Sequence, residues 1–133
     1  MKRESWLPAA PESAPLARAI VREAARQWGL DGEAAWDLVL ATSEAVANAV
    51  VHGDACRNGD EGIRLRVELR DDEVLVEVLD CGVFEGEPQS TAAEVTYGRG
   101  IPIIEAVTDH FELVPGPRRT LVRFGKRSAL AAV

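Results

Sequence analysis

The spacing of apolar and polar residues predicts two helices in the first half of the chain. Apolar residues recur every four positions, as they do along one face of a helix: Leu16, Ile20, Ala24 and Trp28. Gly29 is a natural end for this first helix. A second apolar run predicts another helix, from about residue 32 to residue 51, with Asp31 as the residue that caps its start.

The second half of the chain has a different pattern and predicts mainly strands. The segments IRLRVELR and EVLVEVLD alternate apolar and polar residues on either side of Asp71 and Asp72, which predicts a β-hairpin. After a long loop rich in small polar residues, IPIIEAVTDH predicts a short helix, and HFELVPGPRRTLVRFGK predicts two strands around a Pro-Gly-Pro turn. Helices and hairpins in separate blocks predict an α/β two-layer sandwich, in which a helical layer covers a mixed, mostly antiparallel sheet.

Length and composition predict one folded domain. The chain has 133 residues, of which 47% are hydrophobic, and this is enough for a core. We expect residues 1–13 to form an N-terminal arm or edge strand, residues 14–126 to form the domain, and residues 127–133 to be a flexible tail.

Charge and cysteine content argue against several kinds of partner and site. A net charge of −7 disfavours direct binding to nucleic acid or to anionic membranes. We expect no stretch long enough to span a membrane, and the first residues lack the apolar core of a signal peptide. Cys56 and Cys81 lack the spacing of zinc ligands, and reduced thiols in a cytoplasmic protein explain them better than a disulfide does.

The second predicted helix carries a line of polar residues at spacings of four: Glu44, Asn48 and His52. At about 100° per residue, Asp37, Asn48 and His52 all fall within about 80° of Glu44 on the helix surface. These four residues are named the polar stripe. A separate broad arc holds the residues that we expect to pack: Trp36, Val39, Leu40, Val46, Val50 and Val51.

The polar stripe has two interpretations, because it is either the ordinary solvated face of a surface helix or a binding site. Against the solvated face, the stripe contains no Lys or Arg, and its residues lie among alanines that leave room for a ligand. Asn48 is a mediocre helix former whose carboxamide oxygen is a suitable ligand for Mg²⁺. Glu44, one turn earlier, has the chemistry to orient or deprotonate a nucleophile.

Two further signals lie later in the chain. Asp80 ends a predicted strand and Gly82 follows it, so the carboxylate can accept an N–H from a buried heterocycle, although Asp-x-Gly is also common in turns. Gly98, Arg99 and Gly100 lead into the short helix, where exposed amides and a guanidinium can hold an anion. The alternative for this glycine segment is a flexible hinge.

Taken together in chain order, these motifs resemble those of the GHKL ATPase superfamily, which includes gyrase, Hsp90, MutL and the catalytic domains of histidine kinases. LVLATSEAVANAVVHG is similar to the N box of that family, VEVLDCG to its first glycine box and YGRGIPIIEAVTD to its second. The short lid and the Gly-Arg-Gly form are most similar to the bacterial anti-sigma factor serine/threonine kinases. The resemblance covers roughly residues 14–126 and implies the histidine kinase-like ATPase fold.

The resemblance implies ATP and Mg²⁺ as cofactors and gives each motif a role. Glu44 would be the general base that activates a serine or threonine hydroxyl of a protein substrate. Asp80 would accept a hydrogen bond from the adenine amino group, and Asn48 would coordinate the Mg²⁺. The full set of implied nucleotide-binding residues is Asn48, Asp80, Gly82, Gly98, Arg99, Gly100, Ile101 and Thr120. His52 receives only a packing role.

Three functions stay open at this point. The resemblance implies a cytoplasmic, homodimeric kinase that phosphorylates an anti-sigma factor antagonist; the unphosphorylated antagonist binds the kinase and releases a sigma factor. The second function is a nucleotide-binding anti-sigma or signalling scaffold without kinase activity. Two departures from the family favour it, because Val83 and Phe84 follow the first glycine box where a second glycine is common, and Arg119 stands where a glycine is frequent. The third is a structural domain that binds no nucleotide.

Overall fold

The structure is a computed structural model that describes five segments of the chain: residues 1–30, 32–52, 62–80, 100–116 and 119–128, with His52 described by its main chain alone. Several predictions concern positions outside these segments. They include the capping role of Asp31, the thiol state of Cys56 and Cys81, and the packing role of the His52 side chain.

Three helices and five strands make up the described segments. The helices are α1 (Ser13–Gln27), α2 (Gly32–His52) and α3 (Gly100–Val107). The strands are β1 (Lys2–Leu7), β2 (Ile63–Arg70), β3 (Glu73–Asp80), β4 (His110–Pro115) and β5 (Thr120–Arg127). The predicted elements are therefore present, and α3 ends three residues earlier than the pattern predicts because His110 already belongs to β4.

The strands form one sheet in the order β1-β2-β3-β5-β4. Each neighbouring pair of described strands is antiparallel. The helices form the second layer, with α2 packed against α1, α3 and the central strands. The two-layer sandwich is confirmed, whereas the sheet is antiparallel throughout the described strands rather than mixed, because two hairpins join side by side through β3 and β5.

Alternation along the strands decides which side chains face the helices. In β2, Ile63, Leu65 and Val67 are buried on the helical face, while Arg64 and Arg66 point to the opposite face. In β3 the residues with the same role are Val74, Val76 and Val78. Each buried aliphatic side chain of this kind contributes about 1.5–3 kcal/mol of transfer free energy. The alternation of apolar and polar residues in the sequence therefore matches the alternation of side chains between the buried and the opposite face of the sheet.

The sheet face away from the helices, named here the open face, carries a row of charges in register across the strands: Glu4, Arg66, Glu77, Arg123 and Glu112. Arg123 donates to Glu77 Oε2 from Nη2 at 2.6 Å and from Nε at 2.8 Å. Arg66 Nη1 lies 3.3 Å from Glu77 Oε1. The hydrogen bond with Glu77 raises the pKa of Arg123 above its ordinary value. This charge row links four strands through Glu77, which is 8% exposed.

The first helix ends as its sequence predicts. The main-chain N–H of Trp28 donates to Ala24 O at 2.9 Å, and that of Leu30 donates to Ala25 O at 2.8 Å. Gly29 between them has φ of 82°, a left-handed conformation that a glycine adopts without strain. This turn reverses the chain and lets α2 run back alongside α1.

The second helix departs from the prediction on its outer side. Trp36 and Val51 were expected to pack, but each is 66% exposed. By length and composition, Gly32–Val51 would also be enough to span a membrane, contrary to the expectation that no stretch is long enough. The core helix of a globular domain satisfies the same criterion, and α2 lies against the sheet and both other helices. The helix wheel gave the angles between these residues but not the positions of the sheet and of the other helices. It therefore did not determine which of these residues are buried.

Candidate functional site

The polar stripe of α2 is half-buried in the part of the chain that the structure describes. Asp37, Glu44 and Asn48 are all intermediate in exposure. The Nδ2 atom of Asn48 is buried and has no hydrogen-bond partner among the described residues. Leaving such a group unpaired costs about 1–3 kcal/mol. Because rotation of a carboxamide exchanges its oxygen and nitrogen, Asn48 can present either an acceptor or a donor to a ligand.

The alanines beside the polar stripe have a different role from the predicted one. Ala41, Ala45 and Ala49 are 0%, 1% and 1% exposed and belong to the core, so they leave no open space. Their small side chains instead let neighbouring elements approach α2 closely. Glu44 and Asn48 therefore lie at the edge of a tightly packed helix face.

Two buried polar residues face each other across the central strands. Asp80 ends β3 and Thr120 begins β5, directly opposite in the register. They are 4% and 1% exposed. Alternation places both on the helical face, in line with Val78 and Val122. A carboxylate at this depth is stable only with polar partners, so the buried pair Asp80–Thr120 suits the recognition of a polar ligand group.

The start of α1 marks one end of the sheet. Leu7, the last residue of β1, lies opposite Ile63, the first residue of β2. The hydroxyl of Ser13, at the start of α1, donates to the main-chain oxygen of Pro8. The end of β1, the start of β2 and the start of α1 therefore lie together.

The buried pair lies at this same end of the sheet. Arg64, the second residue of β2, is opposite Leu79, and Leu79 directly precedes Asp80. The antiparallel arrangement thus places the end of β3 and the start of β5 beside the start of β2.

The later part of the polar stripe, with Glu44 and Asn48, also lies towards this end. Arg18, in the second turn of α1, donates from Nη1 to Ser43 Oγ at 3.0 Å. Ser43 directly precedes Glu44, and Asn48 lies one turn further along α2. The structure therefore brings Glu44 and Asn48 to the end of the domain that holds the buried pair.

The third helix packs against α2 and begins at the second predicted glycine motif. Gly100 is its first residue, Ile101 is half-buried against the core and Ile104 is fully buried. Two of the predicted residues beside this helix, Gly98 and Arg99, lie outside the described residues, as does Gly82 of the first glycine box. Their roles stay predictions.

Two contacts of the polar stripe and of the β4–β5 hairpin were not predicted. Lys126 Nζ donates to Asp37 Oδ2 at 3.3 Å and so joins β5 to the polar stripe. The main-chain oxygen of Arg119 accepts a hydrogen bond from the N–H of Gly116 at 2.7 Å, which closes the β4–β5 hairpin just before Thr120. Lys126 lies on the helical face of β5, opposite Val74, but no pattern in the sequence identified its partner 89 positions away.

A family model for the histidine kinase-like ATPase domain matches residues 7–126. This chain belongs to that family. The match begins at the end of β1, so it is slightly longer than the resemblance that the motifs covered. No curated protein matches the sequence.

The structure of this histidine kinase-like ATPase domain is similar to the crystal structure of the RsbU and RsbW domains of Rv1364c from Mycobacterium tuberculosis. The TM-score is 0.74 and the sequences are 26% identical. The similarity covers 96% of this chain and 32% of that chain, so this chain spans about a third of that length. The resemblance to the histidine kinase-like ATPase fold is thereby confirmed, with a structural neighbour that contains an RsbW domain.

The family implies nucleotide binding, usually with Mg²⁺. The described residues fit these groups. The carboxamide of Asn48 has the hard oxygen that Mg²⁺ prefers and has a buried nitrogen without a partner in the described segments. The buried pair Asp80–Thr120 offers a carboxylate and a hydroxyl to a heterocycle with an exocyclic amine.

Proposed function

We propose that this domain is an ATP-dependent protein kinase that phosphorylates a serine or threonine on an anti-sigma factor antagonist. In this proposal the antagonist, when unphosphorylated, binds the kinase and displaces a sigma factor. The support comes from the family, from a structural neighbour that contains an RsbW domain, and from the arrangement of the described side chains. The domain would act in the cytoplasm as a homodimer, without direct contact with nucleic acid or membrane.

The observation that carries the proposal is the placement of Glu44 and Asn48 at the end of the sheet that holds the buried pair Asp80–Thr120. Asp80 and Thr120 have the chemistry to hold a nucleotide base, whereas Asn48 and Glu44 have the chemistry to hold a metal and to accept a proton. A domain that only binds a partner has no need of a carboxylate one turn from a metal-binding carboxamide.

Each residue contributes a separate part of the chemistry. Glu44 accepts the proton of the substrate hydroxyl as that oxygen bonds to the γ-phosphorus of ATP, while the bond from the γ-phosphorus to the β–γ bridging oxygen breaks and ADP leaves. Asn48 holds the Mg²⁺ that, when bound, neutralises charge on the phosphate oxygens. Asp80 accepts a hydrogen bond from the adenine amino group, and Thr120 fixes the base from the opposite strand. Phosphoryl transfer depends mainly on positioning and charge neutralisation, so these parts are sufficient.

The glycine motifs complete the proposed nucleotide site. In this proposal Gly82 would line the base pocket, and main-chain amides at Gly98 and Gly100 would contact the phosphates. Arg99 would supply a positive charge to the site, and Ile101 packs the first turn of α3 against the core.

A transfer assay with labelled ATP, Mg²⁺ and a candidate antagonist tests the proposal, together with two variants. We expect the wild type to transfer label. Glu44→Ala should bind ATP and lose transfer by about 10²-fold or more, because it loses the base. Asn48→Ala should lose the Mg²⁺ dependence of ATP binding. Retention of full transfer by Glu44→Ala would contradict the assigned role of the carboxylate.

The second candidate function is a nucleotide-binding scaffold that sequesters its partner without transferring phosphate. The identity of Arg119 favours it, because this residue stands where the family frequently has a glycine, just before Thr120 of the proposed base site. Tight ATP binding by the wild type without transfer to any antagonist would support the scaffold. Absence of ATP binding would leave only a structural domain.

A further inference from the structure

The ion pair between Asp37 and Lys126 joins two elements in the less exposed part of the domain. Lys126 Nζ and Asp37 Oδ2 are 3.3 Å apart, and the two side chains are 15% and 21% exposed. Lys126 lies on the helical face of β5, because its register partner on β3 is the buried Val74. The lysine therefore extends from the sheet towards the polar stripe of α2 rather than towards solvent.

Asp37 has a particular place on the helix. At about 100° per residue, it lies within about 20° of both Glu44 and Asn48 when α2 is viewed along its axis. A contact that fixes the direction of Asp37 therefore also fixes the direction of Glu44 and Asn48.

The other contacts of α2 are mainly apolar. Its packed face holds small side chains, such as Ala41 and Ala45, and larger ones, such as Leu38 and Val46, and the hydrophobic burial of either kind is not directional. Between described residues, the side chains of α2 make two hydrogen bonds to other elements: Lys126 with Asp37, and Arg18 with Ser43. A rotation of about 20° would move an atom about 6 Å from the helix axis by about 2 Å. A displacement of this size is large for a catalytic group.

We propose that the Asp37–Lys126 ion pair sets the rotation of α2 and thereby directs Glu44 and Asn48 towards the nucleotide; this rests on the proposed function. Both members are positioning residues and touch no reacting atom. Lys126 is six positions along β5 from Thr120, which is about 20 Å of strand. The pair therefore acts on the site through the orientation of the helix.

The test compares three variants of the full chain with a control. Asp37→Asn and Lys126→Met each remove one charge, and the combined variant Asp37→Lys with Lys126→Asp restores the attraction in reverse. Arg66→Gln is the control, because it breaks ion pairs of similar length, 3.2 Å to Glu68 and 3.3 Å to Glu77, on the open face opposite α2. Chemical denaturation identifies conditions in which every variant is folded.

Two readouts separate orientation from stability. The first is the side-chain amide signal of Asn48 in the NMR spectrum of the nucleotide-free protein, assigned through its loss in Asn48→Asp. The second is the ratio of the dissociation constants for ATP with Mg²⁺ and with a chelator. We expect Asp37→Asn and Lys126→Met to shift the Asn48 signal and weaken Mg²⁺-dependent binding by about fivefold or more, while chelated binding changes less than about twofold.

The reversed pair should restore both readouts, and Arg66→Gln should change neither. An unchanged Asn48 signal together with unchanged Mg²⁺-dependent binding in Asp37→Asn would overturn the inference. An equal effect of Arg66→Gln would also overturn it, because general destabilisation would then be the cause. If the wild type binds no nucleotide, the proposed function fails, and the NMR readout alone decides whether the ion pair orients α2.

Discussion

Replacement of Glu77 by alanine tests the charge row on the open face. Glu77 is 8% exposed, and its carboxylate contacts both Arg66 and Arg123. Its loss leaves two guanidinium groups without their shared partner. Removing one member of a buried pair costs about 3–5 kcal/mol, whereas an exposed pair contributes about 0–1 kcal/mol.

The expected free-energy cost of Glu77→Ala lies between these limits. The side chains of Arg66 and Arg123 are 25% and 33% exposed, so water reaches part of each. Arg66 also keeps Glu68 at 3.2 Å, and Arg123 keeps Glu112 at 3.7 Å. We expect a loss of about 2 kcal/mol in the free energy of unfolding, or about 8 °C in Tm for a domain of this size.

Urea denaturation followed by circular dichroism measures this loss, and Glu68→Ala is the matched control. Glu68 lies on the same face with a side chain 23% exposed and with ion pairs to Arg66 and Arg70 at 3.2 and 3.3 Å. Its replacement should cost less than about 1 kcal/mol. If Glu77→Ala and Glu68→Ala destabilise equally, burial does not decide the strength of these pairs. ATP binding by Glu77→Ala should be unchanged, because the open face lies opposite the helical layer.

Three further outcomes are expected. Gly62→Ala should lower the free energy of unfolding by about 1–3 kcal/mol in denaturant titrations, because a β-carbon there would overlap the main-chain oxygen of Leu7. Burial raises the pKa of Glu73 above 4.5, so stability is lost as pH rises through the folded-state pKa. Glu73→Gln should therefore be more stable than wild type at about pH 7 and equal to it below about pH 4, in urea titrations at both values. Asp80→Asn should weaken ATP binding by about tenfold or more in calorimetric titration, because the buried acceptor becomes a carboxamide; unchanged affinity would remove Asp80 from the proposed site.

The local pattern of the sequence was sufficient for the secondary structure and the layers. Helical periodicity placed α1, and alternation placed the hairpin of β2 and β3 on either side of Asp71 and Asp72. Gly29 ended the first helix as predicted because a left-handed residue is needed there. These features depend on contacts between residues that are near in sequence, so they leave a periodic signal.

The candidate site was predicted in part. Glu44 and Asn48 were identified by their interruption of an apolar helix, and Asp80 by its place at the end of a strand. That Asp80 lies opposite Thr120, 40 positions later, follows from the strand register alone. No local pattern carries that register, because it depends on how two hairpins join through β3 and β5.

The directions in which α2 faces its neighbours were decided only by the tertiary structure. The helix wheel fixed the angles between Trp36, Glu44 and Asn48, but the positions of the sheet, α1 and α3 determine which angles are buried. Trp36 is exposed for this reason, and Asp37 contacts a lysine 89 residues away. Amino-acid sequence sets the relative geometry within one element, whereas contacts between elements distant in the chain exist only after they pack, and these contacts orient the residues of the site.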